Sequence, residues 1–97
     1  MKYGIYLTRE TFNVYADGSK SRSNISQGWR RGMVYERLGS AKIGLGILKA
    51  ELNEDFFAVT QVNSVTLRAS RKGYYYGESS APRWHEEHLT YHIEKYY

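Results

Sequence analysis

The sequence predicts an α+β domain: a largely antiparallel sheet of about five strands, with one buried helix at about residues 41–53 packed on one face. Three observations lead there. Apolar and polar residues alternate near both ends of the chain, the period of half-buried strands. One internal window, Ala41 to Asn53, repeats instead near 3.6 residues. The resulting order of strands, one helix, then strands shows no internal repeat, which favours α+β over a parallel α/β arrangement. At 97 residues the whole chain, 1–97, is expected to form a single domain.

Tyr3, Ile5 and Leu7 alternate with Lys2, Gly4, Tyr6 and Thr8, and Phe12 and Val14 alternate with Thr11, Asn13 and Tyr15. Two strands joined near Arg9-Glu10 are expected, the second ending at Asp17-Gly18. Residues 17–28 are rich in Ser, Gly and Asn and read as an exposed loop. Met33 to Leu38 follows as a strand closed by Gly39, and Ser40 is the expected N-cap of the helix. Ala41, Leu45, Leu48 and Leu52 form its inner face, which Ile43, Ile47 and Ala50 are expected to widen into a deeply buried stripe. Gly44 and Gly46 weaken a helix by about 1 kcal/mol each against alanine, so they point to close packing on the sheet. The run from Phe56 to Thr60 is apolar on both faces and reads as a central strand. A turn at Asn63-Ser64 leads to Val65, Leu67 and Ala69, alternating with Thr66, Arg68 and Ser70. Arg71-Lys72-Gly73 is expected to turn the chain, and 77–83 to form a second loop. Leu89, Tyr91 and Ile93 fit a strand, although Leu89, Ile93 and Tyr96 also fit a helix; the β-branched and aromatic content favours the strand. The sheet face away from the helix would carry the tyrosines and arginines.

Composition narrows the function classes. Hydrophobic residues make up 41% and charged residues 25% of the chain, ordinary globular usage that argues against disorder. A compact chain of 11.3 kDa would expose roughly 5,700 Å². With no cysteine there is neither a disulfide framework nor a thiolate nucleophile. No apolar run approaches the roughly 18–20 residues of a bilayer span, and the amino terminus has no signal-peptide h-region. No membrane association and a cytoplasmic location are therefore expected. Residues 1–50 carry nine basic and three acidic side chains, +6, whereas 51–97 carry five and seven, −2. This asymmetry favours an anionic partner for the first half, although a net charge of +4 is ordinary for a small soluble domain.

Catalytic and metal signatures are weak. Gly-x-Ser-x-Gly and Gly-x-x-x-x-Gly-Lys are both missing. His85, His88 and His92 share a face only on a helix; on a strand His88 and His92 share one and His85 points away. Their spacing is not His-Glu-x-x-His, so a polar, solvated strand edge is the expected reading. Glu54-Asp55 and Glu86-Glu87 are likewise expected to be a solvated helix end and strand edge. An enzyme, a cofactor and a bound metal are not expected.

The ten tyrosines are the compositional outlier. Tyrosine suits both strands and interfaces, where its rigid ring gives contact area at little entropic cost. Two basic-aromatic clusters follow. One is Trp29-Arg30-Arg31 between Gly28 and Gly32; the other joins Arg68, Arg71 and Lys72 to Tyr74, Tyr75 and Tyr76. With Trp84, these are the expected partner-binding residues. Trp, Tyr and Arg dominate protein hot spots, and the same mixture suits single-stranded nucleic acid. Lys72-Gly73-Tyr74 begins like the central motif of an RNA-recognition sheet. Tyr75, Gly77 and Glu78-Ser79 then break that motif, which excludes the family.

Tyr35-Glu36-Arg37-Leu38-Gly39-Ser40-Ala41-Lys42, running into a Gly/Leu helix and then Phe57-Ala58-Val59, resembles a recurring pattern of small tailed-phage accessory proteins. The likeness covers about a quarter of the chain, outside the segment 17–28 and the carboxy-terminal tail. Some such proteins bind and inhibit host machinery, including anti-defence and anti-CRISPR proteins. The resemblance implies a non-enzymatic binding protein in the host cytoplasm that occupies the surface of a host defence or nucleic-acid-handling protein. Direct nucleic-acid binding through the same residues is the other expectation, and a symmetric homodimer is compatible with both.

Overall fold

The computed structural model describes residues 2–74 and 84–96. Five strands and one helix follow in the order β1 (Lys2–Val14), β2 (Lys20–Tyr35), α1 (Leu38–Glu54), β3 (Ala58–Asn63), β4 (Thr66–Tyr74) and β5 (Trp84–Tyr96). The strands form one sheet in the order β2-β1-β5-β4-β3, and every neighbouring pair is antiparallel. This is the expected α+β architecture. The chain leaves the sheet at the β2 edge, crosses one face as α1, and re-enters at the β3 edge. Strands β4 and β5 then fill the sheet back to β1.

The first half of the chain differs from its sequence reading. The strands expected on either side of Arg9-Glu10 are one continuous strand, because β1 is paired on both edges along this stretch. The turn comes later. The Tyr15 N–H donates to the Ser19 carbonyl at 2.9 Å, and Gly18 takes φ +87°. Asp17 Oδ1 accepts from the Ser19 backbone N–H and hydroxyl at 2.9 and 2.6 Å. The segment read as a loop, 17–28, mostly becomes β2. Its serines and asparagine are exposed because β2 is an edge strand, and its backbone is paired with β1. The strand expected over Met33 to Leu38 stops at Tyr35.

The helix begins at Leu38, not Ala41, so Ser40 lies inside it. Its N-cap is Arg37, in extended conformation and without a side-chain cap bond. Ala41, Leu45, Leu48 and Leu52 are buried as expected, over Ile5, Leu67, Ala69, Leu89, Tyr91 and Ile93 of the sheet. Ile43 and Ile47 are not buried: they are 69% and 54% exposed, and Ala50 is exposed too. One helix face meets a single sheet, and this helix packs along its Ala41/Leu45/Leu48/Leu52 line.

The strand expected to be central is at the edge. Phe56 precedes it with φ 64° and is 89% exposed, so the run that looked apolar on both faces is a helix exit followed by β3. The Asn63-Ser64 turn joins β3 to β4 as expected, and Leu67 and Ala69 are buried. Arg71, Lys72 and Gly73 do not turn the chain; they continue β4. The tail is a strand, with Leu89, Tyr91 and Ile93 buried on the helix side. Tyr75, Tyr76 and the loop expected at 77–83 lie outside the described residues. No described helix is long and apolar enough to cross a membrane.

The two helix glycines differ. A Cβ on Gly44 would strike the Tyr35 hydroxyl, whereas one on Gly46 meets open space. Gly46→Ala is therefore expected to stabilise the protein by up to about 1 kcal/mol through helix propensity. Gly44→Ala must displace the Tyr35 ring and is expected to lose about 1 kcal/mol net. Urea unfolding of both variants checks this; equal gains would show that α1 does not sit against Tyr35.

Candidate binding face of the sheet

Strand alternation and antiparallel register divide the sheet into two faces. The helix side carries Ile5, Leu67, Leu89, Tyr91 and Ile93. The other side, with no described helix over it, presents Tyr6, Glu10, Phe12, Trp29, Arg68, Lys72, Trp84, Glu86, His88, His92 and Tyr96. The tyrosines are thus split between the faces, with Tyr3, Tyr35 and Tyr91 on or beside the core.

One end of the open face is aromatic. Trp29 on β2 meets Tyr6 on β1 edge-to-face at 5.2 Å and Tyr96 on β5 at 4.9 Å. Such pairs prefer this T-shaped geometry, because the positive ring edge meets the negative face. Gly4 makes room for the indole: a Cβ there would lie 2.9 Å from the Trp29 ring. His92 leans on Tyr6 at 5.4 Å and its Nε2 lies 2.8 Å from Glu94 Oε1. Trp29 remains 39% exposed. Just after it the β1–β2 register is irregular, with five steps of β2 (Trp29 to Val34) opposite two of β1 (Tyr6 to Gly4). Gly32 takes φ +76° in this bulge. Arg30 and Arg31 lie on it, exposed.

The middle of the face is a groove of about 520 Å³ between β1, β5, β4 and β3. Glu86 sits in it, buried and clamped from both sides. Lys20 Nζ on β2 donates to its Oε2 at 3.0 Å, Lys72 Nζ on β4 lies 3.8 Å from Oε1, and His88 Nε2 is 3.2 Å from Oε2. The hydrogen bond from Lys20, helped by His88 and Lys72, holds the Glu86 carboxyl below the ordinary carboxylate range against the opposing effect of burial. Phe12 meets the His88 ring edge-on at 5.5 Å. Beyond Glu86, Lys72 lies 5.7 Å from the Trp84 ring centre.

Glu87 points to the opposite face and is clamped in the same manner. Arg9 Nε donates to its Oε2 at 2.7 Å, and Arg9 Nη2 also contacts that oxygen. Arg71 Nη2 donates to Oε1 at 3.1 Å, while its Nη1 donates to the Asp55 carbonyl at 3.3 Å. The Arg71 guanidinium also lies 4.3 Å over the Phe57 ring. The reading of Glu86-Glu87 as a solvated strand edge is therefore corrected. Both carboxylates are buried, which is tolerable only because each has cationic partners on neighbouring strands. Glu54 and Asp55 do end the helix exposed.

Among the described residues the sequence-predicted binding set is divided. Trp29 belongs to the Tyr6 end and Trp84 to the Val14 end, about 27 Å apart at the usual strand rise. Arg68 and Lys72 share the open face, whereas Arg71 is on the helix side. Tyr74 closes β4, and Tyr75 and Tyr76 are outside the described residues. His88 and His92 share a face and His85 points away, as a strand requires. Sequence reasoning missed Gly4, Tyr6 and Tyr96 around Trp29, and Phe12, Lys20, Glu86 and His88 in the groove. The alternation of β1 and β5 places most of these side chains on the same face; their partners become visible only with the register. No family model, curated protein or solved structure matches the chain.

The Glu86 clamp gives a pH dependence of known sign. A carboxylate whose folded pKa is depressed adds stability above its unfolded value, near 4.5, and that stability is lost as pH falls through the folded value. Both ammonium partners stand half in water, so screening limits the contribution to about 1 kcal/mol. Glu86→Gln is expected to be less stable by about that amount at neutral pH, with the gap from wild type closing as pH falls below the unfolded value. Urea melts at neutral and at acid pH check it; a gap that persists in acid would refute the clamp.

Proposed function

We propose that this chain is a non-enzymatic binding protein that acts by occupying the surface of a larger protein. In this reading it is a tailed-phage type of accessory protein, working in the host cytoplasm, that inhibits or modulates a host defence or nucleic-acid-handling protein. The observation that supports it is the exposed indole of Trp29, held between Tyr6 and Tyr96 next to the bulge that presents Arg30 and Arg31. Trp, Tyr and Arg are the side chains that most often carry interface energy. A ring already fixed by two edge contacts loses little freedom on binding, so more of its burial appears as affinity. Homodimerisation is compatible with this reading.

The second reading is direct nucleic-acid binding. It is favoured by Lys20, Arg68 and Lys72 sharing the open face with Phe12 and Trp84, a basic and aromatic mixture suited to a single strand.

Capture from bacterial lysate, with and without nuclease, separates the two. A defined protein retained after nuclease by wild type, but lost with Trp29→Ala and with the charge reversals Arg30→Glu and Arg31→Glu, supports the protein-interface reading. Trp29→Ala is expected to weaken that complex by about 2 kcal/mol, roughly 30-fold in Kd. Full retention by all three variants, with unchanged melting curves, would overturn the site. Loss of every partner on nuclease treatment would favour the nucleic-acid reading, whose affinity must then fall steeply with salt.

A further inference from the structure

Among the described residues, one cation lining the groove has no counter-ion. Lys20 and Lys72 are held by Glu86, and Arg22 by Glu10 at 3.2 Å. Arg68, on the groove floor, has no ion pair among the described residues. Its neighbours across the sheet are hydroxyl side chains. Thr60 on β3 and Thr90 on β5 lie directly opposite it on either side, and Thr8 of β1 continues the row. Ser70, two residues along β4, also lines the groove. Directly opposed residues in a sheet have Cβ atoms about 5 Å apart. The guanidinium is therefore ringed by neutral donors with no carboxylate adjoining it in its own row. A planar fork of donors with flanking hydroxyls matches a phosphoryl group, which accepts several charge-assisted bonds at once.

Along the groove from Arg68 stand Phe12 and His88, whose rings meet edge-on, a wall suited to a flat ring. Across the β1–β5 ladder Glu10 stands opposite His88 and Glu86 opposite Phe12, so both carboxylates flank this wall. An anionic chain continuing in that direction would run into them, whereas a sugar or an exocyclic amine could donate to them. The cavity volume, about 520 Å³, lies within the range usual for small-ligand sites.

We propose that this groove binds a nucleoside monophosphate, with its phosphoryl group on Arg68 and its ring against Phe12 and His88. The site is separate from the Trp29 end of the face and does not rest on the protein-interface reading.

Calorimetric titration of the full chain with AMP, UMP, adenosine, inorganic phosphate and a short single-stranded oligothymidylate tests the proposal. Saturable binding of AMP or UMP is expected, tighter than that of phosphate or adenosine alone. Arg68→Gln changes an exposed side chain and should keep the wild-type melting curve while weakening nucleotide binding about tenfold or more. Phe12→Leu should weaken AMP binding more than phosphate binding. No saturable nucleotide binding at about millimolar ligand overturns the proposal, as does an unchanged affinity in Arg68→Gln. Phosphate binding as tightly as AMP overturns the ring subsite, and oligothymidylate binding more tightly than either mononucleotide overturns the free-nucleotide assignment in favour of a strand. Trp29→Ala should leave nucleotide binding intact, so failure of the protein-interface reading leaves this proposal standing.

Discussion

One helix has to carry the chain from one edge of the sheet to the other, and that crossing sets what the rest of the molecule must do. At 17 residues, α1 is about 25 Å long. The central strands β1 and β5 have 13 residues each, about 43 Å at the usual rise. The continuous apolar cluster lies under the helix, on Ile5, Leu67, Leu89, Tyr91 and Ile93 of the sheet, while Val14 is buried outside it. Beyond the cluster no described helix covers the sheet, and the molecule is 52 Å long but only 24 and 21 Å across. Its accessible surface is 6731 Å², against roughly 5,700 Å² for a compact chain of this mass.

Where apolar burial ends, paired charge takes over. Glu86 and Glu87 are consecutive residues of β5, so their side chains emerge on opposite faces. Each meets cations from strands on either side: Glu86 those of β2 and β4, and Glu87 those of β1 and β4. A buried ion pair adds less net stability than its Coulomb energy suggests, because both charges lose water. Its cost of disruption is large, however, and that makes it a register device. Sliding β5 by one residue would exchange the two carboxylates between faces and remove both from their partners, as well as turning Leu89, Tyr91 and Ile93 out of the core. The two clamps thus fix four strands in a region where hydrophobic contacts no longer do so.

The elements legible in the sequence are those where one side is buried and the other is wet. The β4 alternation Leu67/Ala69, the β5 alternation Leu89/Tyr91/Ile93 and the inner line of the helix all have this form. Strand β2 was unreadable for the opposite reason. With little burial on either face it carries Ser, Asn and Arg in no apolar period, and such a strand is compositionally a loop. Ile43 and Ile47 misled because apolar residues beside the inner line widen the apparent stripe, while a single sheet buries only the Ala41/Leu45/Leu48/Leu52 line. The clamps were invisible at the level of local sequence. Adjacent acids look like one solvated patch until a strand sends them to opposite faces, and their partners Lys20 and Arg9 are 66 and 78 residues away.

Strand β2 also constrains how a partner can engage this molecule. A long edge strand exposes a row of unpaired backbone donors and acceptors, and natural edges are commonly protected by charge and by bulges. Here Lys20, Arg22, Arg30 and Arg31 lie on that edge strand, and the irregularity between Trp29 and Val34 interrupts the ladder with Gly32 at positive φ. Addition of an extra strand would meet like charge at both ends and a broken register at one. Side chains on the open face carry no such penalty: Trp29 is already seated over Gly4, and the groove is already lined. On the readings proposed above, these features of the β2 edge favour recognition through the face of the sheet, where the exposed indole of Trp29 lies together with Arg68, which has no ion pair among the described residues.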